Sequence, residues 1–172
     1  MAPEHALLAR ARDGDESAFR ALVEPHRARL WSICLRVAGN RQDAEDALQD
    51  ALTATWMNLA AFRGESRFST WAYRIAANAA VAVIRRRREV PVEGVADLAA
   101  GATPDHADTV ATRDQVTAVL ATLPAPMREA LVLREYADLS YEEIARHQGV
   151  PVQTVKSRLN RARAAFAAAW SQ

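Results

Sequence analysis

Along most of this chain, apolar residues recur every three or four positions, which is the spacing of helices that bury one face. Asp15 or Ser17 can cap the first such helix, and Gly39 ends it. Pro25 predicts a kink or a break within it. The apolar stripe of this segment consists of Phe19, Leu22, Val23, Leu30, Ile33 and Val37.

The next helix is predicted over residues 42–60, with one apolar and one acidic face. The residues expected to be buried are Ala44, Leu48, Leu52, Trp56 and Leu59. The residues expected to point outward are Asp43, Glu45, Asp46, Gln49 and Asp50. Carboxylates are favoured near a helix N-terminus by the macrodipole, and an acidic face also suits docking of a basic partner. The pattern leaves both interpretations open.

A third helix is predicted from Phe68 to about Arg88. The loop before it contains Gly64, which interrupts the helical pattern, and Ser66, which is a candidate N-cap. Its polar and aromatic residues are Phe68, Trp71, Tyr73, Asn78 and Arg85 to Arg88. Aromatic rings interleaved with amide and guanidinium groups suit stacking on unpaired bases and contact with phosphate. The alternative is that the first aromatic residues are simply core, and for Trp71 this alternative is favoured.

Residues 89–112 are rich in Ala, Gly, Pro and Asp without a sustained period, and they predict a flexible linker. They carry five acidic and no basic side chains, whereas residues 1–88 carry 14 basic and 10 acidic ones and residues 113–172 carry eight and six. After the linker, helices are predicted near residues 113–122 and 127–136. No segment alternates at strand period. The pattern predicts an all-α fold of two small helical domains joined by an acidic linker.

The last third of the chain has the pattern of a helix-turn-helix. Ser140 followed by Glu143 is a capping box that starts a short helix. Gly149 can end this helix in the left-handed conformation, and Pro151 cannot continue it. The second helix then has a buried stripe of Val152, Val155, Leu159, Ala162 and Phe166.

The outward face of this second helix is basic and polar. Its residues are Gln153, Lys156, Ser157, Asn160 and Arg161. From Ile144 to Gln172 there are five basic residues and no acidic ones. Solvated helices usually mix both signs of charge, so this face favours DNA binding over an ordinary helical hairpin with a basic surface.

Composition limits the remaining classes of structure and function. Cys34 is the single cysteine, so no intrachain disulfide can form and a buried structural thiol is expected. The longest charge-free run, residues 115–127, has 13 residues and contains two prolines, which predicts no membrane insertion and a soluble, cytoplasmic protein. The six glycines form no phosphate-binding motif, and the four histidines share no ligand spacing. Neither an enzyme activity nor a metal or other cofactor is therefore predicted.

Three motifs follow one another in a distinctive order: the acidic stretch 43–50, the aromatic and basic stretch 62–78, and the helix-turn-helix after Leu123-Pro124. In this order they closely resemble the extracytoplasmic-function (ECF) sigma factors of bacterial RNA polymerase, within the sigma-70 family. The resemblance covers about Phe19 to Arg88 and Arg113 to Phe166.

The resemblance implies a region 2-like domain over residues 1–88, a linker over 89–112 and a region 4-like domain over 113–172. The first domain would dock on core polymerase and recognise and melt the −10 promoter element, and the last would recognise the −35 element. The implied −10 residues, which include a pocket for a flipped-out base, are Phe62, Ser66, Arg67, Phe68, Asn78, Arg85 and Arg86. The implied −35 residues are Gln153, Thr154, Lys156, Ser157, Arg158, Asn160, Arg161 and Arg163. The implied polymerase-binding residues are Asp46, Leu48, Gln49, Asp50 and Trp56.

The implied partners are the clamp helices of the largest subunit of core RNA polymerase, promoter DNA and an anti-sigma factor. The implied function is promoter-specific transcription initiation. The alternative function is that of a stand-alone helix-turn-helix regulator that binds duplex DNA without polymerase.

Overall fold

A computed structural model describes residues 3–89 and 107–171, with side chains over residues 3–87 and 115–171. All regular structure in this part of the chain is helical, which confirms the predicted all-α fold. The helices are α1 (Glu4–Arg12), α2 (Glu16–Val23), α3 (Arg27–Ala38), α4 (Arg41–Met57), α5 (Phe68–Glu89), α6 (Ala107–Thr122), α7 (Ala125–Tyr136), α8 (Tyr141–Gln148) and α9 (Val152–Trp170). Short 3-10 turns span Glu24–His26 and Leu59–Ala61.

The ends of the early helices follow the local chemistry of the sequence. The Asp15 carboxylate accepts the N–H of Ala18 at 3.0 Å, so Asp15 rather than Ser17 caps α2. Hydrogen bonds from Ser17 and from the Ala18 amide hold the pKa of Asp15 well below its usual range. Pro25 lies in the 3-10 turn that separates α2 from α3, and Gly39 ends α3 with a φ of 83°. The sequence pattern does not predict helix α1, because its apolar periodicity is weak. Only Ala11 of this helix is buried.

The core of the N-terminal body is formed where α3, α4 and α5 pack together. The predicted leucine stripe of α4 is wrong in detail, because the fully buried face of this helix is Ala44, Ala47, Ala51 and Thr55. Leu48, Leu52 and Trp56 are half-buried at its edges. Small side chains at the contact allow helix axes to approach closely, which places larger side chains on the flanks.

The C-terminal body confirms the helix-turn-helix. The Glu143 N–H donates to Ser140 Oγ at 3.1 Å, and the Ser140 N–H donates to Glu143 Oε2 at 2.8 Å. Gly149 has a φ of 64° and ends α8. Helix α9 buries Val155, Leu159 and Ala162 against α7 and α8.

The two bodies contact one another, because α3 packs against α6 and α7. The guanidinium of Arg36 is buried and lies 4.1 Å from the centre of the Tyr136 ring. Arg74 Nη2 on α5 lies 3.5 Å from Glu143 Oε1 on α8. Charged groups therefore take part in the contact between the bodies, beside the apolar residues that join both into one cluster.

Helical structure extends into both ends of the predicted linker of residues 89–112. Glu89 is the last residue of α5, and residues 107–112 form the first part of α6. Residues 90–106, on which the flexible-linker prediction mainly rests, lie outside the described residues.

Cys34 is fully buried on α3, as predicted for a structural thiol, and its Sγ lies 3.8 Å from the carbonyl oxygen of Ala76. Burial raises the pKa of this thiol to about 12, so little of the reactive thiolate is present at neutral pH. Among the described helices, none has the length and apolar character required to cross a bilayer.

Replacement of Ser140 by alanine tests the role of the capping box. We expect Ser140→Ala to lower the free energy of unfolding by about 1 kcal/mol, because the first turn of α8 loses the acceptor for a helical N–H. Urea denaturation followed by circular dichroism measures this change. The matched control is Ser171→Ala near the end of α9, where the hydroxyl donates to the carbonyl oxygen of Ala167 on the surface. Equal midpoints for the two variants would contradict the assignment.

Candidate nucleic-acid interface

The outward face of α9 is arranged as the sequence predicts. Gln153, Lys156, Asn160 and Arg161 are exposed, while Thr154, Ser157 and Arg158 are half-buried beside them. An open groove next to this face is lined by Pro124, Pro126, Met127, Gln153, Thr154, Ser157, Arg158 and Arg161. Amide, hydroxyl and cationic groups thus converge on one side of the helix, which is the chemistry required to bind base edges and phosphates in a groove.

Two arginines among the implied −35 residues already have partners within the protein. Arg158 Nη1 donates to Gln148 Oε1 at 2.7 Å, and Arg163 Nη2 donates to Glu135 Oε1 at 2.9 Å. The hydrogen bond to Glu135 raises the pKa of Arg163. Arg163 is held towards α7, whereas Arg158 is held at the rim of the groove.

Beneath the loop between α4 and α5, aromatic rings are buried and form a floor. They do not line an open pocket. Phe68 is only 1% exposed and Phe62 only 7%. The Phe62 ring centre lies 5.0 Å from that of Trp71, and the Phe68 ring centre lies 6.0 Å from it. Arg67 is exposed and Ser66 is half-buried, so the polar candidates form the rim and the rings lie beneath.

The predicted N-cap at Ser66 is wrong. The Trp71 N–H donates to the carbonyl oxygen of Arg67 at 3.2 Å, so Arg67 is the N-cap residue, directly before the first residue of α5. The Ser66 hydroxyl instead donates to the same Arg67 carbonyl at 3.4 Å.

Arg12 is a residue of this site that the sequence analysis missed. Its guanidinium donates to the carbonyl oxygens of Leu59 and Phe62, and it lies 5.9 Å from the centre of the Phe62 ring. Helix α1 therefore fixes the start of the loop. No local pattern indicates this role, because the contact joins positions about 50 residues apart.

Helix α5 presents Asn78, Arg85 and Arg86 on its exposed surface. Arg86 Nη2 lies 2.6 Å from Asp50 Oδ2 of α4, so a predicted DNA contact is paired with a predicted polymerase contact. Arg87 Nη1 lies 2.8 Å from Asp43 Oδ2. The arginine run is thus partly neutralised by carboxylates of the neighbouring helix.

The prediction of an acidic outward face on α4 is correct in part. Asp46 and Gln49 are exposed, and Leu48, Asp50 and Trp56 are half-buried around them. Asp43 does not point outward: it is 7% exposed, because its carboxylate is held by Arg87 and by the Asn40 amide at 2.7 Å. Within residues 3–89 and 107–171, no cluster of His, Cys, Asp and Glu has an arrangement that could hold a metal ion.

Comparison with known proteins assigns each of the two bodies to a region of a known family. Residues 22–90 match Sigma-70 region 2, and residues 113–166 match Sigma-70, region 4. The chain is 36% identical to the RNA polymerase sigma-H factor of Pseudomonas aeruginosa, over 95% of this chain and 91% of that protein. It is 31% identical to the ECF RNA polymerase sigma factor SigW of Bacillus subtilis, over 89% of each. The chain belongs to the ECF sigma factors.

A solved structure extends this likeness to the arrangement of the whole sigma factor. The sigma factor RpoE in complex with the anti-sigma factor NepR from Bartonella quintana is 26% identical, with a TM-score of 0.69 over 89% of this chain and 96% of that one. The family directs promoter-specific transcription initiation and is non-catalytic. Because region 2 accompanies the helix-turn-helix, the sigma factor function is favoured over that of a stand-alone regulator.

Two neighbouring residues, Arg67 at the end of the loop and Phe68 at the start of α5, distinguish a surface role from a packing role. We expect Phe68→Ala to lower the free energy of unfolding by about 3 to 5 kcal/mol, because a buried ring leaves a cavity. We expect Arg67→Ala to change it by less than about 0.5 kcal/mol, since this side chain is exposed. Chemical denaturation of the two variants measures both values. A mild effect of Phe68→Ala would contradict its placement in the core.

Proposed function

We propose that α9 of this sigma factor enters the major groove of the −35 element and reads it with its exposed face. Lys156 or Arg161 can pair with guanine O6 and N7, and Gln153 or Asn160 with adenine N6 and N7. Each such pair contributes about 1 to 3 kcal/mol of discrimination. The observation that carries this proposal is the exposed basic and amide face of α9, in a stretch from Ile144 onwards without a single carboxylate side chain.

The region 2 body is proposed to recognise and open the −10 element. Ser66 and Arg67 form the polar rim of the loop, and Asn78 lies further along the exposed surface of α5. Flipping a base costs a few kcal/mol, and stacking on an aromatic ring returns about 1 to 3 kcal/mol. Since Phe62 and Phe68 are buried, they are assigned the rigid floor of the pocket. A flipped base can then reach the half-exposed Trp71 at its edge.

The acidic face of α4 is proposed to dock on the clamp helices of the largest polymerase subunit. Asp46 and Gln49 offer exposed polar contacts, and the half-buried Leu48 and Trp56 offer apolar contacts beside them. Met57, 75% exposed at the end of the same helix, extends this apolar edge. A polar rim around apolar anchors is the usual composition of a specific protein interface.

An anti-sigma factor is proposed as a further partner. This sigma factor shares its overall arrangement with RpoE of Bartonella quintana, whose structure was solved with the anti-sigma factor NepR. A protein that covers α4 or the exposed face of α9 would block polymerase or promoter binding.

The two bodies must separate for this sigma factor to hold both promoter elements at once. Elements centred about 25 base pairs apart are roughly 85 Å apart along B-form DNA. A compact body of about 150 residues has a diameter of roughly 40 Å. The contact of α3 with α6 and α7 therefore cannot persist on promoter DNA. Water solvates its charged groups again when the bodies part, which offsets part of the cost of exposing the apolar side chains at this contact.

Transcription with purified components tests the proposed function. The protein added to core polymerase should yield specific transcripts from templates of its own genome, where core alone yields none. We expect Arg161→Glu to reduce these transcripts by about 10-fold or more while core binding is retained. We expect Asp46→Arg to weaken core binding itself.

The matched control for the first variant is Arg20→Glu, the same charge reversal on the exposed surface of α2. Run-off assays and a core-binding titration measure the two effects separately. The proposal is refuted if the wild-type protein binds core but gives no specific transcript from any genomic template.

Energy transfer between two labels tests the separation of the bodies. Ala9 and Ala168 are exposed on α1 and α9, and cysteines introduced there can be labelled selectively because Cys34 is buried. Transfer should fall when core and promoter are added. In the free protein, Arg74→Glu should also lower transfer, because two carboxylates then face each other at Glu143.

The control for this variant is Arg85→Glu, the same change at an exposed position of the same helix. Transfer that is identical in the free protein and in the promoter complex would show that the bodies do not separate.

A further inference from the structure

We propose that Glu129 and Gln148 are positioning residues for promoter recognition, which orient Arg158 at the groove of α9. This inference rests on the proposed reading of the −35 element by α9. Gln148 Nε2 donates to Glu129 Oε2 at 2.9 Å and to the carbonyl oxygen of Pro126 at 2.9 Å. Arg158 Nη1 donates to Gln148 Oε1 at 2.7 Å. We name these three side chains, Glu129, Gln148 and Arg158, the relay.

The hydrogen bonds of the relay fix the orientation of the Gln148 amide. Glu129 and the Pro126 carbonyl are both acceptors, so only the NH₂ end of the Gln148 amide can face them. The amide oxygen must then face α9, where it accepts from Arg158. An amide with fixed ends therefore presents an acceptor to the donor at the position of Arg158.

Glu129 is itself anchored. Its Oε1 lies 2.8 Å from His147 Nε2, and the two side chains are only 14% and 4% exposed. One carboxylate thus contacts two consecutive side chains of α8, His147 and Gln148. The relay joins α7, the end of α8 and the first half of α9, and its only member on the groove is Arg158.

The consequence for DNA binding is pre-organisation. Arg158 lines the groove together with Gln153, Ser157 and Arg161. A guanidinium is a planar fork of five donors, so a bond at Nη1 fixes the plane in which the other donors lie. A side chain that is already ordered loses less entropy when it binds phosphate. We therefore expect loss of the relay to weaken promoter binding by about 3- to 10-fold.

Gln148→Met removes the amide at nearly constant volume, and Glu129→Met removes the anchor at a residue that does not line the groove. Each is combined with Arg158→Ala. The full-length variants are assembled with core polymerase, and binding to a fluorescently labelled promoter, identified by mapping the transcripts of the wild type, is measured over a series of salt concentrations. The matched control is Gln115→Met, the same substitution at an exposed position of α6.

Both relay variants should bind promoter about 3- to 10-fold more weakly than wild type and should have no further effect in the Arg158→Ala background. The slope of log affinity against log salt should fall in magnitude by up to about 1, the value of one phosphate contact. A purely structural role would instead reduce binding equally with and without Arg158. If one variant fails to fold, as judged by circular dichroism, the other decides the outcome.

The proposal is overturned if both folded variants bind as wild type does, or if their effects simply add to that of Arg158→Ala. A wild-type holoenzyme that does not bind promoter at all would instead refute the proposed function. The two failures are therefore distinguishable.

Discussion

The carboxylate of Glu143 takes part both in the local fold and in the contact between the bodies. Its Oε2 accepts the Ser140 N–H and completes the capping box that starts α8. Its Oε1 lies 3.5 Å from Arg74 Nη2 of the other body. Because the cap fixes the rotamer of Glu143, the free oxygen is presented to α5 without further ordering. The feature that starts the helix-turn-helix thus also contributes one charged contact to the region 2 body.

The contact between the bodies adds buried charged groups to the apolar residues that join the two cores into one cluster. Each core is formed by aliphatic and aromatic side chains, of which Phe68, Ile33 and Leu159 are almost completely buried. Between the bodies, Arg36 is buried over the Tyr136 ring, an interaction of about 2 kcal/mol when desolvated. Separation of the bodies breaks this interaction and returns the guanidinium to water. Hydration of the guanidinium then offsets much of the lost interaction free energy. Unfolding either core exposes apolar surface with no such compensation. Opening at this contact, as the proposed function requires, also exposes the apolar side chains that join the two bodies into one cluster.

The features that the sequence predicts correctly are those with a local cause. Capping by Ser140 and the stop at Gly149 depend on residues a few positions apart, and the helical period gives the buried face of α9. The burial of Phe68 beneath the loop, the alanine face of α4 and the bonds from Arg12 to the loop depend on which helices meet in space. A loop rich in aromatic and basic residues indicates a nucleic-acid surface, but it does not indicate which residues form the floor and which form the rim. The relay is beyond sequence analysis for the same reason, since its members come from three helices.

Two ion pairs between α4 and α5 have different consequences for the surfaces they join. The Arg86 and Asp50 side chains are 62% and 46% exposed, so their pair contributes at most about 1 kcal/mol. A cation of a docked partner can take Asp50 at little cost, and Arg86 is then available to phosphate. The second pair cannot exchange in this way. The Asp43 side chain is only 10% exposed and also bonds to Asn40, so loss of Arg87 would leave a nearly buried carboxylate with one neutral partner. Within this run, Arg87 therefore holds α5 against α4, and Arg86 is the arginine whose availability to phosphate depends on what Asp50 of α4 has bound.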